Sequence, residues 1–492
     1  MKIGDFMFDF SKIYDIYYEM TNDFFQKKEI KEIKNKSQYF TPTGEAEKLI
    51  DDLEIINKKI IKILDPCCGN GILLFKLLEK ILKKYEPECI FIDVYDIDIL
   101  LLQNVKSIIN LLDFNNVNID IQYLNKDFLE GDNKKNYDYI VMNPPFKKIN
   151  TNDVPKDMMK FLYGQPNLYH LFIKKALDML DINGILCVIS PKNYLSGRYT
   201  EELRNYIVSD FSITKINTSN DRKNIFKNNI TQEICMLHIK KAKKRNVVIS
   251  YNDNTKFKVK TRDIIAGSVN KIIFTPRNIN DYNLIKAFSK FPIGTIGTDI
   301  LVKVGKVVQF RVKGREKNLV NEEFSKCSNG VPLIVYRHIR GEIINYKKLI
   351  DKSKNDAITL IDDESNKSIL IKNSNYVLIR KNVDKKYEKL VHSVMYFKDL
   401  DSEEIAIDNG IIYCTNKDDS LTECEVIGLQ CILKSKQFDD YYRMINSTHT
   451  INVYELENMN FPSLDIIRKI GMKLDKNNIN VNRATEIFGE YL

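Results

Sequence analysis

The sequence predicts a doubly wound α/β sheet of seven strands followed by a second domain of mixed α+β character, and three observations carry that prediction. Between Ile60 and Ile239 short apolar runs alternate with amphipathic stretches of helical period, the pattern of strands joined by crossover helices. The turn after the first run holds Gly69 and Gly71, which let the backbone leave a strand, enter a helix and pass close to a ligand. After the basic run Lys240-Lys241-Ala242-Lys243-Lys244-Arg245 the periodicity blurs, which marks a domain boundary. The expected organisation is a helical lead-in over residues 1–38, an α/β domain over 39–245 and a second domain over 246–492.

In chain order, Phe6, Phe10, Ile13, Tyr14 and Tyr17 recur at helical spacing in the lead-in. Gln38-Tyr39-Phe40-Thr41-Pro42-Thr43 precedes an amphipathic segment, which Thr41 is expected to N-cap with Pro42 at the first helical position. Strands are expected at 60–64, 90–95, 118–123, 137–142, 185–190, 213–217 and 233–239, with helices at 72–82 and 168–180. The fourth strand, Tyr137 to Met142, runs straight into Asn143-Pro144-Pro145-Phe146, where two prolines stop the pairing. Asn143 therefore belongs at a carboxyl-terminal strand edge, the side on which open α/β sheets bind ligands. A plain Pro-terminated turn explains the same four residues when they are taken alone. In the second half, β-like runs occur at 331–336, 376–380 and 410–414, with one amphipathic helix near 426–433.

A chain of 492 residues exceeds one ordinary core, and two domains are expected. It is 43% hydrophobic, yet no apolar run approaches the ~18 residues that span a bilayer. The N-terminus lacks the features of a signal peptide, so a cytoplasmic protein without membrane contact is expected. Nine cysteines form no CxxC pair and share no ligand spacing with the five histidines, so reduced thiols and no metal are expected. The net charge of +9 is a mild polyanion signal, sharpened between Lys303 and Arg340 by nine basic against three acidic residues.

Three strand ends carry polar groups in order. Asp65-Pro66-Cys67-Cys68-Gly69-Asn70-Gly71 lacks the third glycine of the dinucleotide fingerprint, and its leading Asp65 would repel a pyrophosphate while suiting an amino group and a sulfonium. Asp96 ends the second strand, placed to accept ribose hydroxyls, and Asp127-Phe128 ends the third, placed to bind and flank an adenine ring. Any one of these acids also reads as a helix cap. Three in succession, each after its own strand, are harder to dismiss.

With Asp65-x-x-x-Gly69-x-Gly71 and Asn143-Pro144-Pro145-Phe146 in place, the chain resembles the S-adenosylmethionine-dependent amino-methyltransferases of DNA. Thr41-Pro42 ahead of the glycine loop makes it similar to their gamma class, the TaqI-like adenine N6-methyltransferases of type II restriction–modification systems. The resemblance covers about residues 39–240 and implies a Rossmann-like, seven-stranded class I methyltransferase domain with S-adenosylmethionine as cofactor. It assigns Thr41, Asp65, Pro66, Gly69, Gly71, Asp96, Asp127 and Phe128 to the cofactor, and Asn143, Pro144, Pro145 and Phe146 to catalysis. Phe146 and Phe226 would stack on a target adenine flipped from the duplex. Cys67 stands where the family often has Ala or Ser, and Phe146 where it commonly has Tyr.

An exocyclic amine is a weak nucleophile because its lone pair is delocalised into the base. Acceptors from the Asn143 side chain and the Pro144 carbonyl would localise that pair, and rigid prolines would hold both without reorganisation. A cytosine C5 mechanism through Pro66-Cys67 is rejected, since those enzymes carry Pro-Cys after the fourth strand.

Segments 305–311, 331–338 and 447–453, with Phe461-Pro462, resemble target-recognition regions of type II modification methylases. Lys306, Arg311, Arg315, Tyr336, Arg337, His338 and Arg340 are the expected DNA contacts. The implied partner is double-stranded DNA, with a separate cognate restriction endonuclease admitted and a monomer expected. Two rivals share the Asn-Pro-Pro-aromatic logic. Release-factor-type protein glutamine methyltransferases lack some 250 residues after the sheet, and type I modification subunits place a long helical domain before the Thr-Pro segment. No segment resembles a PD-(D/E)xK nuclease.

Overall fold

The computed structural model describes residues 10–28, 39–114, 116–131, 135–161, 164, 167–219, 233–252, 256–267, 269–294, 299–311, 315–316, 330–340, 343–344, 359–361, 364, 366–383, 389–400, 402–446 and 448–492. The chain forms two compact units, one running to Ile264 with Thr275–Asn278 added, the other comprising Ile265–Phe274 and Ile279–Leu492.

The first unit begins with α1 (Phe10–Lys27) and α2 (Thr43–Ile50). Its strands are β1 (Ile60–Asp65), β2 (Cys89–Tyr95), β3 (Asn118–Leu124), β4 (Tyr137–Met142), β5 (Leu180–Pro191), β6 (Ser212–Thr218), β7 (Ile234–Lys240), β8 (Asn246–Tyr251) and β9 (Phe257–Lys260). Helices α3 (Ile72–Lys84), α4 (Ile99–Ile109), α5 (Leu168–Asp178) and α6 (Glu201–Asp210) connect them. The sheet order is β3-β2-β1-β4-β5-β7-β6-β8-β9. β1 pairs in parallel with both β2 and β4, whereas β7 lies antiparallel between β5 and β6. This is the Rossmann-like architecture expected from the sequence, and all seven expected strands form within a few residues of their predicted limits.

Two results differ from expectation. β8 and β9 continue the sheet beyond β6, so the first unit extends past residue 245 to Ile264. The basic run at 240–245 is the turn between β7 and β8 rather than an interdomain linker. The second difference is at α2, which starts at Thr43 with Pro42 in the N-cap position and no side-chain cap. The Thr41 hydroxyl is used elsewhere, as described below.

Chain order reverses between β1 and β4, where one crossover leads outward through β2 and the other through β5. That is the topological switch point at which a crevice opens beyond the strand ends. β4 is buried along its whole length, and its one charge, Asp138, accepts from the Lys62 amide at 2.8 Å and pairs with Lys58 at 2.5 Å. The core on one side of the sheet joins Phe10, Ile13 and Tyr17 of α1 to α2, α3 and β1. The lead-in helix thus belongs to the catalytic unit's core.

In the second unit, Leu301–Val304, Ile411–Thr415, Asn375–Arg380 and Ser393–Phe397 form an antiparallel sheet in that order. A five-stranded sheet contains Gly330–Ile334 between Thr359–Ile361 and Glu404–Ile407. The helix Glu423–Lys434 opens with a reciprocal cap between Thr422 and Glu425 and crosses Leu464–Met472. Gly428 and Gly471 permit that crossing, because a Cβ on either would lie within about 2 Å of a carbonyl oxygen on the opposite helix. Among the described residues, no helix is long and apolar enough to cross a membrane.

Candidate active site

β4 delivers Asn143 to the switch point, and the segment before α2 fixes its side chain. The amide nitrogen Nδ2 donates to the Tyr39 carbonyl at 3.2 Å and to the Thr41 hydroxyl at 3.1 Å. A backbone carbonyl can only accept, so the atom facing Tyr39 must be nitrogen, which settles the amide orientation. Oδ1 is then the hydrogen-bonding atom that Asn143 has left for a substrate. Thr41 is in turn held by the buried Tyr17 hydroxyl, which donates to its carbonyl at 2.8 Å. Phe40 between them packs edge-on against Phe24 at 5.1 Å and Phe25 at 5.3 Å. An aromatic face of α1 therefore supports the strap that orients Asn143.

Beside Asn143 lies a cavity of about 300 Å³, with Phe40, Gly69, Asp96, Asp127 and Phe128 among its lining residues. Gly69 and Gly71 both have positive φ, 53° and 86°, which side-chain-bearing residues rarely adopt. A Cβ on Gly69 would press on Phe40 at 3.1 Å, and one on Gly71 would strike Phe75 at 2.7 Å. Asp96 accepts from the Gly69 amide at 3.0 Å and the Asp98 amide at 2.9 Å. Desolvation outweighs these two donors and pushes its pKa up to about 6.

Asp65 is 1% exposed. One of its carboxylate oxygens accepts from the Cys67 amide at 3.3 Å, while the other has no partner. Burial, with Asp96 adding to it, raises its pKa to about 8. A buried carboxyl with an unanswered oxygen suits a cationic ligand. Together with the glycine cradle it fits the amino-acid end of S-adenosylmethionine. Desolvation and the same two carboxylates hold the Cys67 thiol well above its usual range, which does not suit a nucleophile.

At the other end of the cavity, Asp127 caps a 3-10 turn by accepting from the Leu129 amide at 2.8 Å. Phe128, 2% exposed, packs against Tyr95 at 5.5 Å and Phe172 at 5.3 Å. The fully buried Lys175 of α5 holds this turn, donating to the carbonyls of Phe128 at 2.7 Å, Leu129 at 3.0 Å and Gly131 at 2.6 Å. Phe146 is partly exposed and meets Tyr169 edge-on at 5.8 Å, while the Tyr169 hydroxyl donates to Asn193 at 2.9 Å.

The fold thus gathers Thr41, Pro66, Gly69, Asp96, Asp127, Phe128, Asn143 and Pro145 at or around one cavity, with Asp65 and Gly71 shaping its loop and Pro144 and Phe146 leading away from it. Phe226 lies outside the described residues. Sequence reasoning missed Tyr17, Tyr39 and Lys175. Tyr39 acts through its carbonyl, which leaves no trace in residue type, but a lysine on the apolar face of 168–180 was a visible irregularity.

In the second unit, Lys306 and Arg311 are exposed, and Arg311 lies over the exposed Phe310 ring at 5.4 Å. Tyr336 and Arg337 are partly exposed, with Arg337 Nε donating to the Tyr336 hydroxyl at 3.0 Å. Arg315 and Arg340 are placed by their short strands alone. His338 corrects an expectation. It is 1% exposed, and its Nδ1 accepts from the Val335 amide at 3.1 Å, closing its own turn. Burial lowers its pKa to about 4, so it is a neutral structural residue rather than a DNA contact.

A model of the Eco57I restriction-modification methylase family matches residues 73–226. The chain is 25% identical over 422 residues to the type II methyltransferase M.PstI of Providencia stuartii, covering 81% of this chain and 82% of that one. It is 23% identical over 480 residues to the type II methyltransferase M.BsuBI of Bacillus subtilis, covering 92% and 93%. Among solved structures, the type IIL restriction-modification enzyme MmeI in complex with DNA aligns with a TM-score of 0.51 at 11% identity, over 98% of this chain and 73% of that one, a likeness of fold.

Proposed function

We propose that this chain, a DNA methyltransferase of a type II restriction–modification system by the family match and the two long likenesses, methylates the exocyclic N6 amine of an adenine flipped from duplex DNA. S-adenosylmethionine is its cofactor and supplies an electrophilic methyl group when bound. Thr41, Asp65, Pro66, Gly69, Gly71, Asp96, Asp127 and Phe128 are assigned to hold it, with Asp65 facing the ammonium end and Asp127 and Phe128 the adenine end. The chain is assigned to act as a monomer, with cleavage left to a separate cognate endonuclease.

The observation that carries this reading is the locked Asn143 amide. With Nδ2 committed to Tyr39 and Thr41, Oδ1 can accept one N–H of the target amine, and the Pro144 carbonyl takes the other. Two acceptors draw the lone pair out of conjugation and aim it at the methyl group. Because the acceptors are fixed before the substrate arrives, little reorganisation is needed in the transition state. Phe146, held edge-on by Tyr169, stacks on the extruded base, a contact worth ~1–3 kcal/mol that helps offset unstacking.

Incubation with duplex DNA and methyl-labelled S-adenosylmethionine tests the substrate class. Label released by nuclease and resistant to protease is expected; label confined to protein would favour amide transfer to glutamine and overturn the reading. Reversing charge at the exposed Lys306 and Arg311 should weaken duplex binding at least about tenfold, because each removed phosphate contact also steepens the loss with salt. The same reversal at Lys83 and Lys84, on the catalytic unit's α3, should change it little, and equal effects at the two places would contradict the assignment.

A further inference from the structure

Three stretches far apart in sequence, 305–311, 331–338 and 447–453, meet in the second unit around two short connections, 380–383 and 408–410. Val307 bridges to Asp408, and Asn382 to Thr450. The Asp408 amide donates to the Ile334 carbonyl at 2.9 Å, the Lys381 amide to the Gly410 carbonyl at 2.9 Å and the Ile451 amide to the Lys381 carbonyl at 2.8 Å. Main-chain hydrogen bonds hold this junction, so the side chains it carries start from a fixed frame.

At the junction the Tyr336 ring has two guanidinium neighbours, Arg337 at 5.3 Å and Arg380 at 5.4 Å from its centroid. Gly410 backs the ring, since a Cβ there would lie 3.2 Å from it. Arg337 Nε is directed to the Tyr336 hydroxyl, and Arg380 Nε donates to the Asn382 carbonyl at 2.9 Å. Arg380 is partly exposed, and with Nε anchored its two Nη groups are its remaining donors. Two like charges on one ring repel each other, and an electron-rich partner relieves that cost.

We infer that Arg380, with Arg337, reads the O6/N7 edge of a guanine in the target sequence, Tyr336 acting as the plate that orients both. The inference rests on the reading of the chain as a DNA methyltransferase whose second unit selects the target. A planar fork, fixed at Nε and against a ring, matches the two acceptors of guanine bidentately and loses little freedom on docking. A phosphate would accept a mobile lysine as readily and needs no such frame. Arg380 ends a strand that the sequence marks, but nothing local in sequence places it beside Tyr336.

The test treats unmethylated genomic DNA with purified wild type, Arg380→Lys and Arg337→Lys, and maps methylated sites by sequencing. Both variants keep the charge and remove the fork; their melting and S-adenosylmethionine binding are measured alongside. The wild-type motif is expected to hold a guanine at which one or both variants lose discrimination by about ten- to a hundredfold, every other position being kept. A wild-type motif without guanine would overturn the inference. So would variants that methylate an unchanged motif at a uniformly lower rate with a shallower salt dependence, the signature of phosphate contact. Wild type that labels no DNA would overturn the underlying reading as well, and is told apart because no motif emerges.

Discussion

Replacing Asn143 with Ala is expected to lower the single-turnover rate of methyl transfer by about two to three orders of magnitude, the usual cost of removing one fixed transition-state hydrogen-bonding group. Cofactor affinity should change little, because the lock on Asn143 serves the amine rather than the cofactor. Thr41→Val separates orientation from presence. It keeps Oδ1 but removes the hydroxyl that accepts from Nδ2 at 3.1 Å, so a smaller loss of roughly tenfold is expected. Thr41→Ser should restore most of the rate. Equal losses in Asn143→Ala and Thr41→Ser would contradict the account of how the amide is held.

Asp65→Asn is expected to act in opposite directions on binding and stability. Removing the charge should weaken S-adenosylmethionine binding about 10–100-fold, or ~1.5–3 kcal/mol for a hydrogen bond to a charged group. In the ligand-free protein the same carboxyl is a burden, because burial holds its pKa near 8. A carboxyl whose folded pKa is raised binds more protons in the native than in the unfolded state, so stability falls as pH rises. The favourable contribution is complete below about pH 4, the unfolded value, and is lost by about pH 8 for Asp65 and about pH 6 for Asp96. Ligand-free wild type should therefore melt lower at pH 8 than at pH 5 relative to Asp65→Asn, and saturating cofactor should narrow that difference. A melting difference independent of pH would show that Asp65 is ionised throughout.

The sheet was legible because its strands are buried on both faces and read as apolar runs, and each run ends at a residue that cannot continue it. Asp65, Asp96 and Asn143 stood out for that reason. β8 and β9 were missed because Asn246–Tyr251 follows a run of lysines and arginines whose charge suggested a linker. The cap assigned to Thr41 failed through competition. Its hydroxyl has a tertiary partner in Asn143, and local propensity carries no information about a residue that far along the chain. His338 was read as a flat polar group near basic residues, whereas burial and a backbone donor make it part of a turn. In the second unit the recognition segments could be recognised one by one, but their meeting at 380–383 and 408–410 is purely tertiary. Arg380 was invisible for the same reason.

The central claim is that the Asn143 site activates the amine of a base, and that the base is adenine. Nucleoside mass spectrometry of duplex DNA after incubation with the protein and S-adenosylmethionine tests it most directly. N6-methyladenine in the wild-type digest, lost with Asn143→Ala, is the expected result. N4-methylcytosine in its place, or N6-methyladenine undiminished in Asn143→Ala, would contradict it.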